Sequence, residues 1–254
     1  MSTTTSSSRP TATRPRALVW LATITGNAYL VVATFVLGSL ACIAGWLPPR
    51  GHWTWAIARW WSRGFLRASG VRLEVSFETP LDGSGTYVFL ANHQSMYDIP
   101  VLIASLPAEG RFMAKKGLFR VPIFGWALAV GGFIPVDRKD RSTARETFHA
   151  AAARLAEGRS LVIFPEETRS PDGRLLPFKK GGVLLALKSG YPIVPVGIRG
   201  TLEVRSRGRN TICPGTVEIR YGRPIEVGAR GVGARGVQRR ARDPHADRIE
   251  GLGG

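Results

Sequence analysis

From Ala17 to Leu47 the chain runs for 31 residues without a charged side chain, ALVWLATITGNAYLVVATFVLGSLACIAGWL. Apolar runs beyond about 18 residues mark segments that enter a bilayer. As one straight helix this run would be about 46 Å long, against a hydrocarbon core of about 30 Å. Gly26-Asn27 lies inside it as a point where the run could fold back. Arg9, Arg14 and Arg16 precede it, and Arg50, Arg59, Arg63 and Arg67 follow. Basic flanks lie on the cytoplasmic side, and here both flanks are basic. The expectation is a membrane-inserted helical hairpin or re-entrant pair of helices in the cell membrane, favoured over one clean span, with the rest of the chain on the cytoplasmic face. A secretory signal peptide is disfavoured, because its apolar stretch would be about 7 to 15 residues, followed by a small-residue cleavage site.

Charge supports this placement. The 254 residues carry 35 Lys plus Arg against 18 Asp plus Glu, a formal net charge of +17. Nucleic acid, anionic lipid and phosphorylated small molecules would all attract such a chain. Eight Arg and no Asp, Glu or Lys fall between Met1 and Arg72, so nearly half the excess surrounds the apolar run, as in a protein that meets anionic lipid. No nucleic-acid-binding motif or aromatic-lined basic groove accompanies it, and nucleic acid is not expected as a partner. Cys42 and Cys213 stand alone, with neither CxxC nor metal-ligand spacing, so no disulfide framework or metal site is expected.

Four regions follow from texture. Residues 1–16 read as a disordered basic tail and residues 228–254, rich in Gly and Arg, as another. Residues 17–70 hold the apolar hairpin and an amphipathic helix, HWTWAIARWWSRGFLR, in which Arg59, Arg63 and Arg67 fall on one face. Trp and Arg together suit the headgroup zone of a membrane, so an interfacial helix is expected; the alternative is an ordinary amphipathic helix covering a domain core. Residues 71–227 alternate β-rich runs with helical patterns. The runs are 72–77, 87–91, 111–114, 133–136, 160–164, 193–198 and 216–221, and the clearest helices are 142–157 and 181–189. This alternation predicts an α/β fold, a mostly parallel sheet flanked by helices.

Three strand ends carry side chains capable of chemistry. In YVFLANHQSMYDIP an apolar strand runs straight into His93, where α/β sheets form ligand crevices. Asp98 follows five residues later. On a continuous helix the two would lie roughly 140° apart, so they meet only if a turn intervenes. Ser95, with Asp98 three residues on, approximates a capping box that would start a helix after such a turn. A His-Asp pair of this kind can take a proton from a substrate hydroxyl. Alternatively, His93 is structural and Asp98 only starts a helix. GGFIPVDR ends a second strand at Arg138, and FPEETRS ends a third with Glu166, Glu167, Thr168 and Arg169. Lys115 follows the 111–114 strand. Lys179 to Gly182 precedes a helix but lacks the GxxxxGK[ST] signature of a nucleotide loop.

Taken in order, NHQSMYD, GGFIPVDR, FPEETRS and VPVGI resemble the four blocks of the glycerolipid acyltransferase family, whose best-known bacterial members act on 1-acylglycerol 3-phosphate. The resemblance covers roughly Val71 to Pro224, plus the membrane segment. It implies that His93 is the general base and Asp98 its orienting partner, transferring an acyl group from acyl-CoA or acyl-carrier protein to a lysophospholipid, with no metal or other cofactor. It also implies that Arg138, with Glu166, Thr168 and Arg169, binds the glycerol phosphate, and that Lys115 or nearby backbone amides stabilise the oxyanion. One departure stands out: Glu167 occupies the family's usual Gly. The motifs leave the acceptor open among 1-acylglycerol 3-phosphate, other lysophospholipids, glycerol 3-phosphate and lyso-ornithine lipid, and a thioester hydrolase would use the same dyad on water.

Overall fold

The structure, a computed structural model, describes residues 14–47, 51–137 and 144–227. The expected tails and Arg138 therefore lie outside the described residues, apart from the short stretch 14–16. All seven expected β-runs form strands: β1 Val71–Phe77, β2 Val88–Ala91, β3 Gly110–Lys115, β4 Ile134–Val136, β5 Ser160–Ile163, β6 Ile193–Arg199 and β7 Gly215–Tyr221. They join in one sheet of order β1-β7-β6-β2-β5-β3-β4, in which only the β6–β7 pair is antiparallel. Strands β2 and β5 are buried at every position. Helices cover both faces there, which is why VFLA and SLVI read as unbroken apolar runs.

Side chains alternate along these strands into two cores. Phe89, Val162 and Val194 face one side, with α2 His52–Ala68 and α3 Asp98–Ser105. Val88, Leu90, Leu161 and Ile163 face the other, under α5 Ala144–Ala156 and α6 Lys180–Lys188. From β2 the chain crosses toward β3, whereas from β5 it crosses back to β6 on β2's other side. The carboxyl ends of β2 and β5 thus flank a topological switch point, the place where such sheets bind ligands.

The apolar run does not fold back at Gly26-Asn27. Its residues 17–44 lie within one uninterrupted helix, α1 Arg16–Ala44; residues 45–47 leave the helix, and α2 begins at His52. Close packing accounts for Gly26: a Cβ there would come within 2.8 Å of Ile212 Cδ1 and Ser69 Oγ. Asn27 keeps its amide inside the helix, donating to Thr23 O at 2.8 Å. Helices α1 and α2 pack antiparallel, held by Trp61 Nε1 donating to Thr34 Oγ1 at 3.1 Å and Thr25 Oγ1 to Ala68 O at 2.6 Å.

Helix α1 is inside-out for a water-soluble protein. Its buried positions are Ala22, Thr23, Gly26, Ala33, Gly38 and Ala41. Trp20, Ile24, Val31 and Phe35 are each at least 60% exposed. Small residues turned to protein and large apolar ones turned outward are what a helix in lipid requires. The α2 arginines part from expectation. Arg59 donates to Leu106 O and Arg63 to Ala104 O, at 3.5 Å for the latter, so both serve the carboxyl end of α3. The orphan carbonyls and negative dipole end of a helix attract such cations. Trp55 and Phe65 are buried against the domain, while Trp53 and Trp60 face outward. Helix α2 is therefore mainly a cover for the core, with two outward Trp.

Candidate active site

His93 and Asp98 do meet. The chain leaves β2 in an irregular turn and re-enters helix at Asp98, the first residue of α3. That turn lets the side chains converge, and His93 Nδ1 lies 2.8 Å from Asp98 Oδ2. A carboxylate only accepts, so Nδ1 carries the proton, leaving Nε2 with its lone pair in the neutral ring. Asp98 Oδ2 also accepts the backbone N–H of Gln94 at 2.7 Å and of Ser95 at 2.8 Å. The second contact is the acid half of the expected capping box. The Ser95 hydroxyl does not complete the box: its oxygen accepts the N–H of Tyr97, at 3.3 Å, and not that of Asp98, while its proton goes to Arg205 O at 2.7 Å.

The imidazole is fixed on every side but one. Its ring stacks on Phe164, the residue after β5, with centroids 4.1 Å apart and planes at 19°. Its backbone N–H donates to Glu166 Oε1 at 2.8 Å, and its carbonyl accepts from the Ser170 N–H at 2.7 Å. Nε2 has no hydrogen-bond partner among the described residues. His93 is 8% exposed and Asp98 fully buried, so the pair works in a shielded environment where its electrostatic coupling is strong. A cavity of about 620 Å³ reaches the dyad between the 170–175 loop and the open face of β6, β7 and β1. That volume is typical of a site for a small organic ligand.

A family model described as Acyltransferase matches residues 72–199, which contain the dyad and all four sequence blocks. The chain belongs to the acyltransferase family. It is 38% identical over 139 residues to the chloroplastic 1-acyl-sn-glycerol-3-phosphate acyltransferase of Brassica napus, covering 54% of this chain and 40% of that relative. It is 36% identical over 143 residues to the 1-acyl-sn-glycerol-3-phosphate acyltransferase of Helicobacter pylori, covering 55% and 58%. The chain thus spans about half the length of these curated relatives. In fold it is similar to the crystal structure of the 1-acyl-sn-glycerophosphate acyltransferase PlsC from Thermotoga maritima, with a TM-score of 0.76 over 94% of this chain and 99% of that one, at 24% identity.

The other residues singled out from the sequence are placed unequally. Glu166 is buried, and its two oxygens are spent on backbone: Oε1 accepts the His93 N–H and Oε2 the Leu176 N–H, both at 2.8 Å. Burial pushes its carboxyl above the usual range, while those two N–H donors and His93 pull the other way. Glu166 thus lines the cavity while both its oxygens hold backbone at and near His93; the resemblance implied a phosphate contact for it. Lys115 ends β3 and is exposed; Thr168 is exposed and Arg169 half-buried on the loop after β5. None of these three lines the cavity, whose cationic side chains are Arg174, Arg199 and Arg220. Glu167 keeps a left-handed backbone at φ 56°, so the turn survives without the family's Gly and carries the strain of a Cβ there. Among the described residues, no cluster of three or more His, Cys, Asp or Glu side chains is placed to hold a metal ion.

Sequence reasoning missed the groups that tie the dyad down. Asn92 clasps Ile198 at two points, its Nδ2 donating to the carbonyl at 2.9 Å and its Oδ1 accepting the N–H at 2.7 Å. Gln94 Nε2 donates to the same carbonyl at 2.5 Å. Thr201 Oγ1 donates to Asp98 Oδ1 at 2.5 Å. Adjacency to His93 is a usable signal for Asn92 and Gln94. Thr201, 103 positions beyond Asp98, has none.

Proposed function

We propose that this chain is a membrane-bound O-acyltransferase that acylates 1-acylglycerol 3-phosphate to phosphatidic acid, using acyl-CoA or acyl-carrier protein as co-substrate. One observation carries the reading: a buried His93–Asp98 pair with Nε2 free, at the carboxyl end of β2 beside a ligand-sized cavity. The acceptor's free hydroxyl gives its proton to His93 Nε2 as its oxygen attacks the thioester carbon. Asp98 stabilises the imidazolium that forms. The tetrahedral intermediate expels the thiolate, which takes the proton from Nε2, giving an ester and a free thiol. The choice of acceptor follows the names of the relatives above. Lys115 is the proposed cation for the oxyanion. Arg169, on the loop after β5, and Arg138, outside the described residues, are the proposed cations for the phosphate.

Membrane attachment follows from α1. Its large outward side chains continue into exposed Leu118, Val121 and Trp126 around α4 Phe124–Val130, which packs on α1 through Ile123 and Val130. This surface rests in one leaflet, so that a lysolipid reaches His93 without leaving the interface, on the cytoplasmic face. The test is thiol release and lipid product analysis in vesicles, wild type against His93→Ala, with and without 1-acylglycerol 3-phosphate. Acceptor-dependent transfer that His93→Ala abolishes is expected. Full activity of the variant would remove His93 from the mechanism, and thiol release independent of any lysolipid would make the protein a thioester hydrolase.

A further inference from the structure

Asp98 is a fully buried carboxylate, and its hydrogen bonds come from two distant parts of the chain. Oδ2 takes three donors from its own turn: His93 Nδ1, the Gln94 N–H and the Ser95 N–H. Among the described residues, Oδ1 takes one donor, the hydroxyl of Thr201, at 2.5 Å. Rotation about the Cβ–Cγ bond, a torsion with a broad minimum, carries both oxygens together, so donors on Oδ2 alone resist it from one side only. A second anchor on Oδ1 fixes its plane, and so the line along which Oδ2 meets Nδ1.

Thr201 is built to supply that anchor. It is fully buried and opens the short helix α7 Thr201–Val204, directly after β6. Gly200 before it adopts φ 94°, and a Cβ there would lie 2.4 Å from Thr216 O, so the chain turns tightly against β7 and aims Thr201 inward. The same segment receives the rest of the dyad's turn: Asn92 and Gln94 on Ile198, and the Ser95 hydroxyl on Arg205 O. We propose that Thr201 is a positioning residue for the His93–Asp98 pair, acting through Asp98 Oδ1, with Ile198–Arg205 as the frame on which the pair is set. The proposal rests on His93 being the base in the function proposed above.

A hydroxyl that merely fills a buried acceptor would affect stability and leave turnover of the folded protein alone. A positioning hydroxyl changes kcat and spares KM, because it touches neither substrate. Thr201→Val keeps the side-chain shape and removes the donor; small displacements of a catalytic group cost up to about 100-fold, and a loss of kcat of about 10- to 100-fold is expected. KM for both substrates should stay within about threefold, measured well below the variant's unfolding temperature. Thr201→Ser retains the donor and should restore most of kcat. Wild-type kcat in Thr201→Val, a loss confined to KM, or a loss that Ser fails to rescue would each overturn the proposal. Should Thr201→Val not fold, Thr201→Ser against Thr201→Cys carries the test, since a thiol is a weak donor; equal kcat in those two would refute it. Failure of the functional reading looks different: wild type itself would leave 1-acylglycerol 3-phosphate unacylated, and the same comparison would then be run on acceptor-independent thiol release.

Discussion

Replacing Asp98 by Asn separates the charge of the dyad from its scaffold. The carboxylate has four donors around it, three on Oδ2 and the Thr201 hydroxyl on Oδ1. In Asp98→Asn the new amide oxygen can take the Oδ2 place and keep all three N–H donors, including His93 Nδ1–H. The amide nitrogen then faces Thr201 Oγ1, which can rotate its proton away and accept. The His93 tautomer is preserved, at the cost of one amide hydrogen without a partner, about 1 to 3 kcal/mol. For a domain of this size that is a fall in Tm of roughly 2 to 10 °C. What disappears is the negative charge beside the imidazolium. At about 4 Å and an effective dielectric of about 20 that attraction is worth about 4 kcal/mol, or close to a thousandfold at about 1.36 kcal/mol per decade. The amide dipole restores part of it, so kcat should fall by about 10² to 10³.

Asp98→Ala removes the acceptor altogether and strands four buried donors at about 1 to 3 kcal/mol each. That sum is comparable to a domain's entire stability of about 5 to 15 kcal/mol, and the variant should not accumulate as folded protein. Thiol release gives kcat and thermal unfolding monitored by circular dichroism gives Tm for both. Retention of more than a third of wild-type kcat in Asp98→Asn would refute charge stabilisation by the carboxylate. If Asp98→Asn unfolds as readily as Asp98→Ala, the assignment of donors around the side chain is wrong.

Glu166→Gln puts an amide nitrogen opposite one of two backbone N–H groups, His93 or Leu176, and should cost about 1 to 3 kcal/mol of stability together with activity; an unchanged Tm would show that its oxygens are not both engaged. At Glu167, a change to Gly removes a left-handed residue's strain of about 1 to 2 kcal/mol and returns about 0.4 to 1 kcal/mol of unfolded-chain entropy. The variant should be up to about 6 °C more stable, and a fall in Tm would mean that the Glu167 side-chain contacts outweigh the strain. Gly26→Leu drives a side chain into Ile212 and Ser69 and should cost about 1 to 3 kcal/mol by overpacking; an unchanged thermal transition in detergent would show that α1 is not docked as described.

The fold class was legible because its signal is local. Seven β-rich runs and the spacing of apolar residues between them mark strands and helices one at a time. Strand order was not, because the crossovers that set β2 between β5 and β6 depend on which faces pack, a property of the whole sheet. The arginines of α2 show the same limit. Periodicity places Arg59 and Arg63 on one face, yet a lipid headgroup and the carboxyl end of α3 offer a guanidinium the same negative charge, and only the packing of α2 on α3 chooses between them. The dyad was legible because His93 and Asp98 sit five residues apart across a turn that the Ser95–Asp98 spacing announces. Its support is not local: Glu166 reaches the His93 amide from 73 positions away and Thr201 reaches Asp98 from 103. The family match ends at Arg199, while the frame holding the dyad continues to Arg205. The matched segment therefore stops two residues short of Thr201, whose hydroxyl donates to Asp98, and a search for residues that tune this site should begin where the motifs end.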